Sequence, residues 1–201
     1  AIRHSAALSR MSHICRVRVT GADAYDALNG LCTSELYLRD TQILHTLFLD
    51  AAAVPIADVY VCRDDEDFIL LVDGMSGTQL VEHVRAHSGG GSDLDVQDLD
   101  HGYRLLSLNG PFAWEVLAEV VGPEVVGLPY MTFFHFGDTL CFRAGKTGEY
   151  GYDLLAPVDR SEALEFELAE AGEEFDLAIA DLPALDECAL DNWFFNIRRE
   201  G

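Results

Sequence analysis

The sequence has few basic residues and a single lysine. Its 201 residues include 13 Lys and Arg against 35 Asp and Glu, which gives a formal net charge of −22. The lysine is Lys146, and no basic cluster exceeds short pairs such as Arg198-Arg199. Because a protein binds a polyanion through a basic patch that releases counterions, this composition argues against nucleic acid as a partner.

Long apolar runs and paired cysteines are also missing. No stretch of about 18 apolar residues is present, as a membrane span requires, and the first residues lack the charged and then apolar layout of a signal peptide. We therefore expect no membrane association and a cytoplasmic location. The five cysteines form no C-x-x-C pair, which argues against a disulfide framework and a zinc site. The histidines show no metal-ligand spacing with Cys or acidic residues either, so no metal is predicted.

A pattern of strand, glycine turn and helix occurs twice, at residues 17–28 and 106–117. An offset of 89 residues aligns Gly21 with Gly110, Ala24 with Ala113 and Leu28 with Leu117. Each copy continues into a predicted hairpin and then an amphipathic helix. The hairpin strands are 57–61 with 68–72 and 139–143 with 152–156, and the helices are 77–87 and 160–171. The residues predicted to face inward are Leu80, Val81 and Val84 in the first helix, and mostly Ala163, Leu164, Phe166 and Leu168 in the second.

This duplication predicts an α+β fold with two duplicated, ferredoxin-like halves. Each half is an antiparallel sheet with helices packed on it. The repeats cover about 14–88 and 103–172, and the Ser/Gly-rich segment 87–93 is a flexible hinge by composition. Two related halves place equivalent loops around a pseudo-dyad, so we expect a central cleft that Asp58 and Glu149 both face.

The segment 143–153, Arg-Ala-Gly-Lys-Thr-Gly-Glu-Tyr-Gly-Tyr-Asp, is the most specific motif of the chain. Its three glycines allow positive φ angles and a close approach of the backbone to a ligand. Within it, Glu149 can accept paired N–H donors from a heterocycle. The alternative interpretation is an ordinary hairpin turn with a solvated glutamate.

Several short motifs occur in an order that is typical of one family. They are residues 8–13, 17–24, 47–50 running on to 56–59, 105–111, 128–131 and 147–149. Through them nearly the whole chain resembles the folate-binding domain of the glycine cleavage T-protein (aminomethyltransferase) family. The resemblance implies that 1–201 is one such domain, without the upstream segment and the C-terminal barrel that the family has.

The resemblance also implies roles for individual residues. Asp58 matches the catalytic carboxylate that lies beside the reduced pterin nitrogen and assists one-carbon transfer, a step in which the proton and charge of that nitrogen must be managed. Glu149 matches the glutamate that accepts hydrogen bonds from the pterin amino group and the adjacent N–H. The other folate-binding positions are Asp73, Lys146, His45 and Ile14.

The chain departs from the family pattern at several positions. Arg10 replaces an Asp, Ile14 a Met, Lys146 a pterin-stacking Tyr, His45 an aromatic residue, and Leu185 and Ala189 two arginines. Loss of an arginine removes a charge-assisted bond to an anionic group, so folate affinity or pose should differ. A histidine near Asp58 can act as an acid or base. Asp50 adds a second acidic group, and if it is close to Asp58 their pKa values should separate.

The implied function is a tetrahydrofolate-dependent transferase or demethylase that moves a methyl or aminomethyl group onto the folate. Its partners would be a small-molecule one-carbon donor or a carrier protein, and a partner subunit could complete the cleft. Two alternatives stay open: a folate-binding regulatory protein, and a noncatalytic subunit that uses this fold to pack on a partner. The retained carboxylates favour the enzyme, and the replaced arginines favour the alternatives.

Overall fold

The computed structural model describes residues 1–87 and 93–200. Residues 88–92, which make up most of the predicted hinge, lie outside this range. The strands are β1 (Ala7–Arg10), β2 (Cys15–Thr20), β3 (Ile43–Leu49), β4 (Pro55–Asp64), β5 (Asp67–Asp73), β6 (Asp95–Asp98), β7 (Tyr103–Asn109), β8 (Thr132–Phe136), β9 (Thr139–Arg143), β10 (Gly151–Pro157) and β11 (Ala178–Ile179). The α-helices are α1 (Ala24–Leu31), α2 (Gly77–Ala86), α3 (Ala113–Val121), α4 (Val158–Ala171), α5 (Leu182–Asp191) and α6 (Ile197–Glu200), and 3-10 helices cover Pro123–Gly127 and Glu173–Phe175.

The chain divides into two compact units, and each unit is made of two separate segments of the chain. The first unit consists of Ala1–Ser12 and Gly102–Phe195, and the second of His13–His101 and Asn196–Gly201. Each unit contains one sheet with its own helices, so the α+β class with two antiparallel-sheet halves is confirmed. Among the described residues, no helix combines the length and the apolar character that crossing a membrane requires.

The second unit is a five-stranded antiparallel sheet in the order β3-β4-β5-β2-β6. Side chains alternate between its two faces along each strand. On one face Val59 and Val61 pack with Leu28 of α1 and Leu80 of α2 in the hydrophobic core of this unit. The intervening residues of β4, among them Asp58, therefore lie on the opposite face.

The first unit repeats this arrangement in a six-stranded sheet, in the order β11-β1-β7-β10-β9-β8. The series β8-β9-β10-β7 has the same connectivity as β3-β4-β5-β2, and Leu106, Leu154 and Cys141 pack with Leu117 of α3 and Leu164 of α4. The edge strand β11 pairs in parallel with β1, whereas the other pairs are antiparallel. The duplicated fold thus has two sheets, each covered on one face by its own helices.

The aligned glycines of the two repeats have the same structural role. Gly21 and Gly110 have φ angles of +104° and +131°, where side chains are strongly disfavoured. A Cβ atom would lie 2.3 Å from the carbonyl oxygen of Asp93 at Gly21, and 2.2 Å from that of Ser5 at Gly110. Each glycine therefore turns its strand into the following helix while another segment packs directly on the turn.

The predicted inner face of α4 is partly wrong. The helix begins at Val158, and its buried residues are Ser161, Leu164 and Leu168. Ala163 is exposed, and Phe166 leaves 68% of its surface in solvent. Buried positions three and four residues apart define a single stripe, and the two mispredicted residues lie outside it.

Candidate functional site

The second unit brings two of the predicted site residues into direct contact. Asp58 is the fourth residue of β4, and its side chain is 3% exposed. The Nε2 atom of His45, on β3, lies 2.6 Å from Asp58 Oδ1. His45 on β3 is the cross-strand partner of Tyr60 on β4, and the centroids of their two rings are 5.1 Å apart. The pairing register fixes this contact, since Leu47, two residues after His45, lies opposite Asp58.

A second carboxylate lies on the strand next to Asp58. Asp73 ends β5 and is the cross-strand partner of Asp58, so the two side chains are on the same face. A guanidinium nitrogen of Arg198 forms a hydrogen-bonded ion pair with Asp73. Ile14 lies at the same end of the sheet, because the next residue, Cys15, pairs with Val72. Four of the predicted site residues, Asp58, His45, Asp73 and Ile14, therefore cluster at one end of this sheet.

The first unit holds the glycine-rich motif in a loop that its counterpart lacks. Residues 144–150 connect β9 to β10, whereas Asp65 and Glu66 alone connect the equivalent strands β4 and β5. Lys146 and Glu149 both belong to this longer loop. The hydroxyl of Tyr130 donates a hydrogen bond of 3.2 Å to the carbonyl of Gly145, which fastens the start of the loop.

Contacts from both ends of the first unit hold the loop at Thr147. The Arg3 guanidinium donates to the Thr147 carbonyl at 2.5 Å, and the Asn192 side-chain amide donates to the same oxygen at 2.7 Å. Another Arg3 contact reaches Glu149, where Nη1 lies 3.6 Å from Oε1. Gly148 has a φ of +80°, and a Cβ there would lie 2.3 Å from Asn192 Oδ1. The conformation of the Thr-Gly-Glu segment is therefore fixed by long-range contacts and requires glycine at its centre.

A row of buried polar side chains runs from the sheet to this loop. Thr147 Oγ1 is 3.3 Å from Asn109 Oδ1, and the Asn109 amide donates to Ser107 Oγ at 2.9 Å. Ser107 in turn hydrogen-bonds Asp153 on β10. Burial raises the pKa of the Asp153 carboxyl to about 6, although that hydrogen bond and the charge of Lys146 act in the opposite direction. Asp153 therefore changes charge at a higher pH than an ordinary aspartate.

Three of the positions discussed with the family pattern lie in different surroundings: two are buried on α5, and one is in an exposed turn. Leu185 and Ala189, where the resemblance implies arginines, are buried on the inner side of α5, and Leu185 packs with Ile2 and Ala7. The exposed Asp50 accepts hydrogen bonds from the amides of Ala52 and Val54, so it closes the turn between β3 and β4.

Sequence reasoning missed four residues at or near the predicted site. They are Arg3 beside Glu149, Asn192 on the Thr147 carbonyl, Arg198 on Asp73, and Asp153, which hydrogen-bonds Ser107. The first three lie at the ends of the chain, far in sequence from their partners, and no spacing rule links them. Asp153 carried a usable signal, because it ends the motif on a strand whose other residues are apolar or glycine.

These features define a class of protein: a duplicated α+β domain in which one unit carries buried ionisable side chains on its sheet and the other carries a glycine-rich loop. In the part of the chain that the structure describes, no three His, Cys, Asp or Glu residues are placed to hold a metal ion. The carboxylates and the imidazole described above can transfer protons and form hydrogen bonds.

Comparison with known proteins assigns the chain to one family within this class. The model of the GCVT N-terminal domain family matches residues 1–200, so the chain belongs to that family. Aminomethyltransferases from Caldanaerobacter subterraneus subsp. tengcongensis and Chlorobaculum parvum are 28% and 30% identical to it over 195 and 200 residues. These alignments cover 92% and 95% of this chain but 51% and 54% of the relatives, so the chain spans about half their length.

Solved structures show the same fold. The glycine cleavage system aminomethyltransferase T from Bartonella henselae is similar with a TM-score of 0.86 at 25% identity, over 97% of this chain and 53% of that one. A chain of the heterotetrameric sarcosine oxidase from Corynebacterium sp. U-96 is similar with a TM-score of 0.67 at 18% identity, over 90% of both chains. The predicted family resemblance is thereby confirmed.

Proposed function

We propose that this chain binds tetrahydrofolate and contributes to the transfer of a methyl or aminomethyl group onto it. The observation that carries the proposal is Asp58, a carboxylate with a 3% exposed side chain and a 2.6 Å bond to His45. A buried acidic group costs free energy that a purely structural strand position would avoid. Family membership supplies the reaction class, because curated relatives of this chain are aminomethyltransferases.

The role proposed for Asp58 is to manage the proton of the reacting nitrogen. A folate nitrogen that receives a one-carbon unit loses its N–H bond, and a positioned carboxylate can accept that proton. The carboxylate also stabilises positive charge that develops on the nitrogen during transfer. Asp73, on the same sheet face and paired with Arg198, is proposed to orient the ligand rather than to take its proton.

The role proposed for Glu149 is recognition of the amino-pyrimidine edge of the pterin. That edge presents an amino group and an adjacent N–H, and a carboxylate accepts both in parallel. The support is that the Thr147-Gly148-Glu149 segment is held by Arg3 and Asn192, so the carboxylate is preorganised. The neighbouring Lys146 is proposed to contact an anionic part of the folate, where the family uses an aromatic side chain.

One observation favours a second candidate, a folate-binding or partner-binding subunit without transfer chemistry. Leu185 and Ala189 stand where the family has arginines, and both are buried. An apolar pair of this kind cannot hold an anionic group of the folate. In either case we expect a cytoplasmic protein whose partner is a small one-carbon donor, a carrier protein or a further subunit.

Calorimetric titration with tetrahydrofolate tests whether the chain binds folate. We expect binding, and we expect Glu149→Gln to weaken it by roughly 10-fold or more, since a charge-assisted pair of hydrogen bonds is lost. Glu162→Gln, an exposed glutamate on α4, is the matched control and should bind as the unaltered chain does. Equal affinity of the Glu149→Gln variant and the unaltered chain would contradict the pterin-edge role.

Turnover measurements separate the enzyme from the two binding alternatives. With methylamine-type and aminomethyl donors, we expect Asp58→Asn to lower tetrahydrofolate-dependent transfer by roughly 100-fold or more, while Asp138→Asn in an exposed turn has no effect. Folate binding without transfer from any donor would favour the regulatory protein or the noncatalytic subunit. Unchanged transfer in Asp58→Asn would rule out this residue as the catalytic group.

A further inference from the structure

A row of hydrogen bonds joins the backbone of Glu149 to a buried carboxylate. The Glu149 amide donates to Thr147 Oγ1 at 3.4 Å, and that hydroxyl donates to Asn109 Oδ1 at 3.3 Å. The Asn109 amide nitrogen donates to Ser107 Oγ at 2.9 Å, and the Ser107 hydroxyl donates to Asp153, its cross-strand partner. These four side chains, which we call the polar row, are 2% to 8% exposed. The glutamate proposed to bind the pterin is therefore connected to the sheet through buried groups.

The hydrogen bonds of the polar row all run in one direction. A hydroxyl carries one proton, so a hydroxyl that accepts from one neighbour donates to one other. The Asn109 side chain is polarised in the same way, because its oxygen accepts and its nitrogen donates. The last group must accept, and an ionised carboxylate only accepts. Protonated Asp153 carries an O–H donor of its own, and its bond to Ser107 is no longer assisted by a charge.

Glycines at both ends of the loop leave room for the Asn109 side chain. A Cβ atom at Gly151 would lie 3.0 Å from Asn109 Oδ1, and one at Gly145 would lie 3.5 Å from the same atom. The Cβ position of Gly145 is also 3.1 Å from the Cα atom of Gly151, so the two ends of the loop pack on each other. The amide oxygen that receives the Thr147 hydroxyl is thus enclosed where the loop begins and ends.

We propose that Asp153 is a positioning residue: its ionised form orders the polar row, which holds the Glu149 amide and prepares Glu149 to bind the pterin edge. The inference rests on the proposed function, because it takes pterin recognition as the role of Glu149. Asp153 acts on the ligand only through the loop. Folate binding should therefore respond to the charge of a carboxyl group that does not touch the folate.

The charge that changes within this row is that of Asp153. Burial raises the pKa of its carboxyl to about 6, while the Ser107 hydrogen bond and the positive charge of Lys146 favour the ionised form. On the neighbouring strand β9, burial raises the pKa of the Cys141 thiol, so the thiol stays protonated through the neutral range. His135 is an exposed residue of β8, the strand beyond β9. The polar row should therefore be fully ordered above about pH 6 and less ordered below it.

A spectroscopic measurement tests the polar row without any ligand. In the 15N-labelled unaltered chain, the amide resonance of Glu149 should shift with pH with a midpoint of about 6, the pKa of Asp153. Asp153→Asn cannot ionise and should lose this transition. Thr147→Val removes the hydroxyl between the two residues and should lose it as well, although Asp153 still ionises. Asp138→Asn, in an exposed turn, is the matched control and should retain the transition.

Calorimetric titration with tetrahydrofolate between pH 5 and pH 8 tests the effect on the ligand. In the unaltered chain, the Kd should be roughly 5-fold lower at pH 8 than at pH 5, because ionised Asp153 makes the last bond of the row charge-assisted. Asp153→Asn should bind at both pH values about as the unaltered chain does at pH 5. Asp138→Asn should keep the roughly 5-fold change.

Each result decides between the claims. A Glu149 amide that shows no transition near pH 6, or the same transition in Asp153→Asn, overturns the proposal. A transition that persists in Thr147→Val overturns the path through the polar row. Folate binding with equal pH dependence in the unaltered chain and Asp153→Asn overturns the effect on the ligand, while the proposed function stands. Absence of folate binding at every pH, with the amide transition present, contradicts the proposed function and leaves Asp153 as a residue that orders the loop.

Discussion

Arg3 lies with a guanidinium nitrogen 3.6 Å from a carboxylate oxygen of Glu149, and the same guanidinium donates to the carbonyl of Thr147. A residue of the N-terminal segment thus pairs with the glutamate proposed to bind the pterin. The guanidinium is itself a fork of N–H donors, the same pattern that the pterin edge presents. Arg3 therefore holds the loop in place and supplies a positive charge beside the proposed ligand site.

Replacing Arg3 should weaken folate binding without abolishing it. Arg3→Gln loses the ion pair and one bond to the Thr147 carbonyl, while Asn192 still holds that oxygen. A net loss of about 1 kcal/mol corresponds to a roughly 5-fold higher Kd in calorimetric titration. The exposed Arg39→Gln serves as control. Tighter binding in Arg3→Gln would mean instead that Arg3 competes with the ligand for Glu149.

Gly148 should not tolerate a side chain. Gly148→Ala places a Cβ atom at a φ of +80° and 2.3 Å from Asn192 Oδ1, so we expect a loss of about 1–3 kcal/mol in the free energy of unfolding. Gly30→Ala is the contrasting variant. A Cβ atom added at Gly30 would have nothing within 4 Å, and alanine favours the helix more than glycine does. Urea denaturation of both variants measures the difference. Equal stability of Gly148→Ala and the unaltered chain would refute the geometry of the loop.

Asp153 should make the stability of the protein depend on pH. Its pKa is raised from 3.8 to about 6 by burial, so ionisation opposes folding. The stabilising contribution of the protonated form is complete below pH 3.8, decreases as pH rises through about 6, and is absent above that. The total loss is on the order of 3 kcal/mol.

The test is the free energy of unfolding of Asp153→Asn relative to the unaltered chain between pH 4 and pH 8. The variant cannot ionise, so its stability relative to the unaltered chain should increase as pH rises, and Asp138→Asn should show no such trend. A pH-independent difference would mean that Asp153 titrates as an ordinary aspartate.

Placing an arginine on α5 where the resemblance implies one should harm the fold rather than improve folate binding. Leu185 is 7% exposed and packs with Ile2 and Ala7, so Leu185→Arg buries a charge and should destabilise the chain by about 3 kcal/mol or more. Glu187→Arg, on the exposed side of the same helix, should be close to neutral. Thermal denaturation and folate titration measure the two effects. A stable Leu185→Arg variant with tighter folate binding would contradict this prediction and show that the position can accept an arginine that binds folate.

The regular elements could be predicted from the sequence because their cause is local. The strand, glycine turn and helix that occur at 17–28 and again at 106–117, with Gly21 aligned to Gly110, predicted the duplicated α+β fold. Strand ends and the inner face of α4 were less accurate. Phe166 illustrates the reason: an aromatic residue in a helix is apolar by composition, but the packing partner decides whether it is buried.

The sequence by itself determined which functional groups are available: the glycine-rich loop with Glu149, the carboxylate of Asp58, and the imidazole of His45 where the resemblance implies an aromatic residue. The tertiary structure decided which groups meet. Strand register brings His45 within 2.6 Å of Asp58, and the ends of the chain supply Arg3, Asn192 and Arg198 as partners. The physical reason is that composition and periodicity act over a few residues, whereas hydrogen bonds and ion pairs depend on distances that only the folded chain fixes.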